Sequence, residues 1–329
     1  MPIASSLSAQ ELAAWRRQAA ASATDLNEGV GRLAGQAKAG NAEAAYLLAV
    51  FTAAGIGVAQ DLKAALAHLQ QAADGGHRRA QLELAALVGN WRLARDIEAG
   101  KVNRPQTWSQ LRAAVDVARW LRIPDGRIFS EEPRIATIKG YLSAPACDWL
   151  IALGRNNLKA AQVYDAETGD LRTDSNRNNS AAQLDLERID AFTAFVRARI
   201  SALANVSIAG LETSQILHYR VGEEFTEHCD FLDPSNPGHA RDIAMHGQRA
   251  LTVLIYLNDE YEGGDTAFPA LGRGFKGRKG DALVFWNLTP AGEPDYRTAH
   301  IGTAPTRGEK WLFSQWIRIP LAAGVRAGR

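Results

Sequence analysis

The sequence predicts two architectures in series: an α-helical repeat region over residues 1–125, then an α+β domain over residues 133–320 whose short strands form a sandwich or jelly roll with helices on one side. Three observations predict this. Residues 8 to about 122 are rich in Ala and Leu and repeat themselves. A turn signal, Pro124-Asp125-Gly126, and the charged stretch Ser130 to Pro133 then break the helical pattern. Beyond it the chain offers short runs of Val, Ile, Leu and aromatic residues separated by glycine turns.

Composition bounds the function classes. Hydrophobic residues at 46% and charged residues at 22% supply a globular core. With 37 basic and 36 acidic residues, a net charge of +1 gives no support for a nucleic-acid or anionic-membrane partner. Cys147 and Cys229 allow at most one disulfide, so a reducing compartment fits better than a disulfide scaffold. MPIASSLSAQELAAW lacks a basic start followed by an apolar run, so no signal peptide is expected. No apolar stretch is long enough to span a membrane, and a cytoplasmic protein is the expectation.

In the helical third, AGNAEAAYLLA from Ala39 aligns with GGHRRAQLELA from Gly75 at an offset of 36 residues. Gly40 matches Gly76, Ala44 matches Ala80, and Leu48 matches Leu84; upstream, Asp25 matches Asp61 and Leu33 matches Leu69. Small residues at helical spacing let helices approach closely, and a repeated pair must stack on its neighbours to bury its face. This stretch, with GIGVAQD as the loop between two helices, resembles the Sel1-like helical repeats, which implies a partner-binding scaffold. His68 and His77 have no ligand partner at suitable spacing and read as surface or packing histidines.

The second domain opens with a short strand, RIATIKGYL, and a helix, SAPACDWLIALGRNNL, with Ser143 as its N-cap. A second amphipathic helix is expected from about Ala182 to Leu203, with Leu184, Ile189, Phe192, Phe195, Val196 and Ile200 near helical spacing. SQILHYRV, ALTVLIYLN, DALVFWNL, AHIGTA and KWLFSQWIRI then read as strands. Between Asp230 and Gln248, DPSNPGHARDIAMH reads as a turn-rich lid or substrate loop, with His239 and His246 solvent-exposed.

Chemistry concentrates in EFTEHCDF. His228 and Asp230 are two residues apart, so on extended backbone they share a face and can reach one ion. His300 stands at another strand edge, 72 residues on. Two histidines and a carboxylate on one side of an ion leave positions open, the facial arrangement of non-haem Fe(II) oxygenases. Taken alone, the same spacing also describes a polar strand end. Lys310 adds weight: a lysine inside a barrel is costly unless paired, and a hairpin through Pro305 and Gly308 would set it beside the metal-bearing strand. Tyr219 lies on the strand leading to His228, and Tyr256 can place a phenol in the pocket of Lys310.

YRVGEEFTEHCDF, GQRALTVLIYLND, GGDTAFP, GDALVFWN and HIGTAPTRGEKWLFSQWIR, in that order, resemble the prolyl 4-hydroxylase-like 2-oxoglutarate/Fe(II) dioxygenases over about Pro133 to Pro320. The resemblance implies a double-stranded β-helix, with Fe(II) bound by His228, Asp230 and His300 and a salt bridge from Lys310 to 2-oxoglutarate. Tyr219, Tyr256 and Ser314 match positions around 2-oxoglutarate, and Arg249 and Trp316 match positions near the substrate proline. It further implies O2 as cosubstrate, L-ascorbate (vitamin C) to rescue oxidised iron, and hydroxylation of an aliphatic C–H, foremost a prolyl residue of a protein or peptide that the helical repeats could dock. Two departures stand out: Phe225 occupies a position where relatives often carry Tyr, and Ala304-Pro305 replaces a Pro-Val pair. The alternatives are a hydroxylase of a free amino acid or a peptide natural product, and a catalytically silent Sel1-like binding protein.

Overall fold

The structure, a computed structural model, describes residues 23–101, 107–161, 163–164, 171–172 and 176–320. The helical expectation over residues 8–22 therefore lies outside the described residues. The chain divides into two units: one runs to Arg122 and takes in Asp185–Leu203, and the other comprises Ile123–Leu184 and the chain from Ala204.

The first unit is helical, with helices at Ala23–Lys38, Ala42–Ala54, Leu62–Asp74, Arg78–Leu87, Trp91–Glu98, Trp108–Ala114 and Val117–Leu121. The repeat recurs in its turns. Gly40 and Gly76 both take positive φ, +91° and +83°, a region that favours glycine. Each precedes an N-cap: Asn41 accepts from the Ala44 amide, and His77 accepts from the Ala80 amide through Nδ1. Between the pairs, Ala44, Ala49, Ala72, Ala80 and Ala85 are fully buried, which lets the helices approach closely. His77 is more than a packing residue. With Nδ1 accepting, its Nε2–H donates to Glu43 at 3.0 Å while its ring stacks on Tyr46 at 4.3 Å.

The helix expected over 182–203 is corrected. Ser180–Leu184 is a strand, because its amides pair with the strand Ser214–Tyr219, and the helix is Ala191–Ala204. Its N-cap is Asp190, whose Oδ1 accepts from the Thr193 amide at 2.6 Å. Its residues 191–203 belong to the helical unit. Phe192 packs edge-on to Trp91 and Trp120, and Arg79 bonds Asp190. An amphipathic pattern states that a face is buried but not which partner buries it.

The second unit carries β1 (Gly126–Ser130), β2 (Ile135–Ile138), β3 (Lys159–Ala160), β4 (Val163–Tyr164), β5 (Leu171–Arg172), β6 (Ser180–Leu184), β7 (Ser214–Tyr219) and β8 (Phe225–His228). It continues with β9 (Gln248–Tyr256), β10 (Glu262–Gly263), β11 (Thr266–Phe268), β12 (Arg273–Phe275), β13 (Ala282–Trp286), β14 (His300–Gly302), β15 (Pro305–Arg307) and β16 (Lys310–Ile319). A large antiparallel sheet has the order β1-β2-β13-β9-β16-β7-β6-β3, and a smaller one the order β12-β11-β14-β8. Leu217, Tyr219, Leu254 and Leu312 of the large sheet share one buried cluster with Phe268 of the small sheet. Ser143 stands at the N-cap of the Ala144–Arg155 helix, but its side chain makes no cap hydrogen bond.

Two further expectations change. No hairpin joins His300 to Lys310: β14 pairs with β8 and β11, whereas β16 pairs with β7 and β9. The chain crosses from the small sheet to the large one, so the two side chains face each other across the interior instead of lying side by side. The segment after Asp230 contains a helix, Pro237–His246, started by Asn236 as cap and Pro237 in the first turn. His246 on it is exposed, but His239 is half-buried and accepts from the Asp233 amide. Both cysteines are free thiols.

Candidate metal and cosubstrate site

Antiparallel pairing of β8 and β14 sets His300 directly opposite His228, and Asp230 follows just beyond β8. The three side chains form the only candidate metal cluster among the described residues, each offering a ligand atom within 4.8 Å of the others. Asp230 Oδ1 lies 3.7 Å from His228 Nε2, and Oδ2 lies 3.8 Å from His300 Nε2. Both imidazoles are oriented from behind. His228 Nδ1 bonds the Thr226 carbonyl at 2.8 Å, and His300 Nδ1 bonds the Thr298 carbonyl at 3.1 Å. A carbonyl only accepts, so each Nδ1 carries a proton and each Nε2 is the ring nitrogen left facing Asp230. Burial, reinforced by repulsion from His300, pushes the His228 pKa down to about 3, which keeps it neutral and ligand-ready. Burial alone would raise the Asp230 pKa, but His300, His228 and the Thr252 hydrogen bond bring it below the ordinary carboxylate value. The Phe225 ring stacks on His228 at 3.4 Å.

Across the same cavity stands Lys310. It is fully buried at the start of β16, opposite Tyr219 in the ladder, and its Nζ sits 5.0 Å over the Tyr219 ring. Among the described residues, Nζ has no hydrogen-bond partner. Burial pushes its pKa down to about 7, with Asp265 acting against that shift and Lys276 with it. His228, Asp230, His300, Lys310, Tyr219, Ser314 and Trp316 all line this cavity, whose apolar wall is Leu217, Leu254 and Leu312. Tyr256 does not line it. Its hydroxyl donates to the Phe275 carbonyl at 3.0 Å and so accepts from Thr266 at 2.8 Å; Thr266 is the residue at the wall.

A wider cleft opens over the metal cluster and is lined by Arg249, Trp316 and Arg318, among others. Glu212 holds Arg249 through two bonds, at 2.6 and 2.9 Å, and the guanidinium lies 3.8 Å over the Trp316 ring. Glu212 also accepts from Arg318, which reaches Asp242 on the Pro237–His246 helix. The buried indole Nε1 of Trp316 has no partner among the described residues.

Sequence reading missed four residues here. Arg177 is buried, lines both cavities and lies 4.7 Å over the Phe225 ring. Thr252, Asn287 and Thr266 bond around Asp230 and Tyr256. Thr252 and Asn287 had one advance signal, polarity in or at the end of an otherwise apolar run; Arg177, among asparagines, had none.

Two imidazoles and one carboxylate suit a divalent metal that keeps open positions, and a buried lysine with no partner among the described residues suits an anion. The sequence comparisons agree with this donor set. Residues 214–318 match the 2OG-Fe(II) oxygenase superfamily, and the protein is a dioxygenase of that class. Probable prolyl 4-hydroxylase 10 of Arabidopsis thaliana is 32% identical over 221 residues, 61% of this chain and 72% of that protein. Prolyl 4-hydroxylase 1 of the same plant is 30% identical over 228 residues, covering 62% of this chain and 78% of its own length. Among solved structures, the viral collagen prolyl hydroxylase of Paramecium Bursaria Chlorella virus-1 is similar at 25% identity and a TM-score of 0.43, over 56% of this chain and 95% of that one. The chain belongs to the prolyl 4-hydroxylase family of 2OG-Fe(II) oxygenases, whose chemistry uses Fe(II), 2-oxoglutarate and O2. No helix among the described residues is long and apolar enough to cross a membrane.

Proposed function

We propose that this chain hydroxylates prolyl residues of a protein or peptide, using Fe(II) held by His228, Asp230 and His300 and 2-oxoglutarate anchored by Lys310. One observation carries the reading: the fully buried Lys310 has an Nζ with no partner among the described residues, in the cavity that also holds the His-Asp-His cluster. Burying an ammonium without an anion is unfavourable, so this wall selects a carboxylate. A dicarboxylate that reaches the metal at one end and Lys310 at the other satisfies both. The bound iron supplies oxygen activation, which no side chain can. The protein's share is to orient. Tyr219 and Ser314 flank the cosubstrate; Tyr256 acts at one remove by fixing the Thr266 hydroxyl; Leu217, Leu254 and Leu312 exclude water. Arg249 and Trp316 border the wider cleft, where a peptide would approach the metal's open side, and the Trp316 Nε1–H would donate to a peptide carbonyl.

The relatives named prolyl 4-hydroxylases support the prolyl substrate, and the two facing antiparallel sheets support a double-stranded β-helix. The finer assignments are a division into a helical region to about residue 125 and an oxygenase domain over 133–320, Sel1-like repeats that dock the protein substrate, ascorbate as reductant and a cytoplasmic location. The 36-residue recurrence of Gly40 and Gly76 with their capped helices supports the repeats. The test is mass spectrometry of peptides and whole proteomes treated with the enzyme. A +16 Da gain on proline, dependent on 2-oxoglutarate and O2, is expected. Succinate formation coupled to a free amino acid and not to any peptide would overturn the substrate assignment.

A further inference from the structure

Behind Asp230 runs a chain of buried side chains that the proposed chemistry does not use. Thr252 on β9 and Asn287, just past β13, are both fully buried. Thr252 Oγ1 lies 2.7 Å from Asp230 Oδ2, and Asn287 Nδ2 lies 3.0 Å from Thr252 Oγ1. Chemistry fixes every direction. The carboxylate only accepts, so the single Thr252 hydroxyl hydrogen goes to Asp230. The lone pair of Thr252 must then accept from Asn287, which places the amide NH2 and not its oxygen at that contact. Asn287 is itself held at both backbone ends: its amide donates to the Ala250 carbonyl at 2.8 Å, and its carbonyl accepts from the Asp295 amide at 2.9 Å. In the ladder, Thr252 pairs with Phe285 on one side and Trp316 on the other, so its position is set by three adjacent strands of the large sheet.

We propose that Thr252 and Asn287 are positioning residues that keep one oxygen of Asp230 occupied, so that the carboxylate meets the metal through Oδ1 alone. Rigid strands hold this relay, whereas Asp230 itself lies beyond the end of β8, where its carboxylate would otherwise be free to turn. A carboxylate with both oxygens free can bind two-fold and fill a position that cosubstrate or O2 needs. Oδ2 faces His300 Nε2 at 3.8 Å, and the Thr252 hydroxyl takes up a lone pair there, which disfavours a second bond to the metal at no cost in charge. This inference rests on the metal-site reading above and concerns the denticity of one ligand.

The test is Co(II) titration of the full chain without 2-oxoglutarate, read by visible absorption, which reports both affinity and coordination number. Thr252→Val keeps the shape and removes the donor. It should weaken Co(II) binding by about 10- to 100-fold, the usual effect of losing such a partner, and lower the absorption intensity as the second carboxylate oxygen joins the metal. Thr252→Ser keeps the donor and should bind as the wild type does. Asn287→Ala should weaken binding by a smaller factor, and it should add nothing to Thr252→Val because it acts through that hydroxyl. Wild-type affinity and spectrum in Thr252→Val overturn the proposal, as does an Asn287→Ala effect of equal size in both backgrounds. If Thr252→Val does not fold, Thr252→Ser against Thr252→Ala decides: Ser retains the donor and should outperform Ala, and equal spectra overturn the relay. A wild type that binds no Co(II) would overturn the metal site itself, an outcome distinct from unchanged variants of a protein that does.

Discussion

Each unit of the molecule buries a cluster of ionisable groups, and the two clusters differ in a way that separates architecture from chemistry. In the helical unit, Glu83 is completely buried, yet it accepts from the Tyr46 hydroxyl, Arg79 Nε and the Ala191 amide. Asp190 in turn accepts from Arg79 and caps its own helix. These bonds are made within the chain, and they pin the Ala191–Ala204 helix to the unit. In the oxygenase unit, two imidazole Nε2 atoms converge on one carboxylate, and among the described residues the Nζ of Lys310 lacks a partner. Burial of charge occurs in both. What marks the second as a site is polarity that the chain itself leaves unsatisfied, an arrangement that folding alone disfavours.

The sharpest way to break this contrast is to remove a metal-facing group. His300→Ala, His228→Ala or Asp230→Ala should each reduce O2-dependent succinate formation to background, an effect of at least about 100-fold, with metal titration showing the matching loss of affinity. Wild-type turnover in any of them would return the cluster to a polar strand end.

A pH profile sharpens the contrast next. In the free protein, the Lys310 pKa is held down to about 7 by burial, with Asp265, Lys276 and the Tyr219 ring facing it. A bound carboxylate must raise that pKa, so binding takes up a proton once pH exceeds about 7. The KM for 2-oxoglutarate should therefore be lowest below pH 7 and climb by up to about tenfold per pH unit above it. Lys310→Arg, whose guanidinium does not titrate in this range, should flatten the profile while retaining part of the activity. An equally steep rise in that variant would locate the titration elsewhere.

Altering the closed cluster should move stability and leave cosubstrate chemistry alone. Asp190→Ala deletes a helix cap and the partner of Arg79, so it should cost about 2 kcal/mol in denaturant unfolding with an unchanged KM for 2-oxoglutarate. The smallest effect belongs to the cleft. Trp316→Phe keeps a ring beneath Arg249 but removes the unpartnered Nε1 donor, and should raise the KM for a proline-containing peptide by about 2- to 10-fold. An unchanged peptide KM would place the substrate elsewhere.

The metal-facing residues were legible in the sequence because His228 and Asp230, two apart, can share a face, and because Lys310 opens an otherwise apolar strand where a lysine demands a partner. The strands β7, β9, β13, β14 and β16 were legible from their apolar runs. Three things were not. The Pro237–His246 helix hid behind Pro, Gly and Asn, although Asn236 followed by Pro237 is itself a helix start. The crossing from β14 to β16 was invisible because a turn signal shows where the chain bends, not which sheet receives it. Thr252, Asn287 and Arg177 were silent because each acquires its role from a partner distant in sequence; the Thr252–Asp230 and Asn287–Thr252 bonds span 22 and 35 residues.

The central claim, that this site is built for a metal-chelating dicarboxylate, is tested most directly by anaerobic titration of 2-oxoglutarate into the Fe(II)-loaded protein, followed by charge-transfer absorption. The wild type should saturate, and Lys310→Ala should require at least about tenfold more 2-oxoglutarate, the equivalent of one charge-assisted contact, with its Fe(II) affinity little changed. An identical titration curve for the wild type and Lys310→Ala would contradict the account, since it would leave the buried ammonium of Lys310 with no anion to meet.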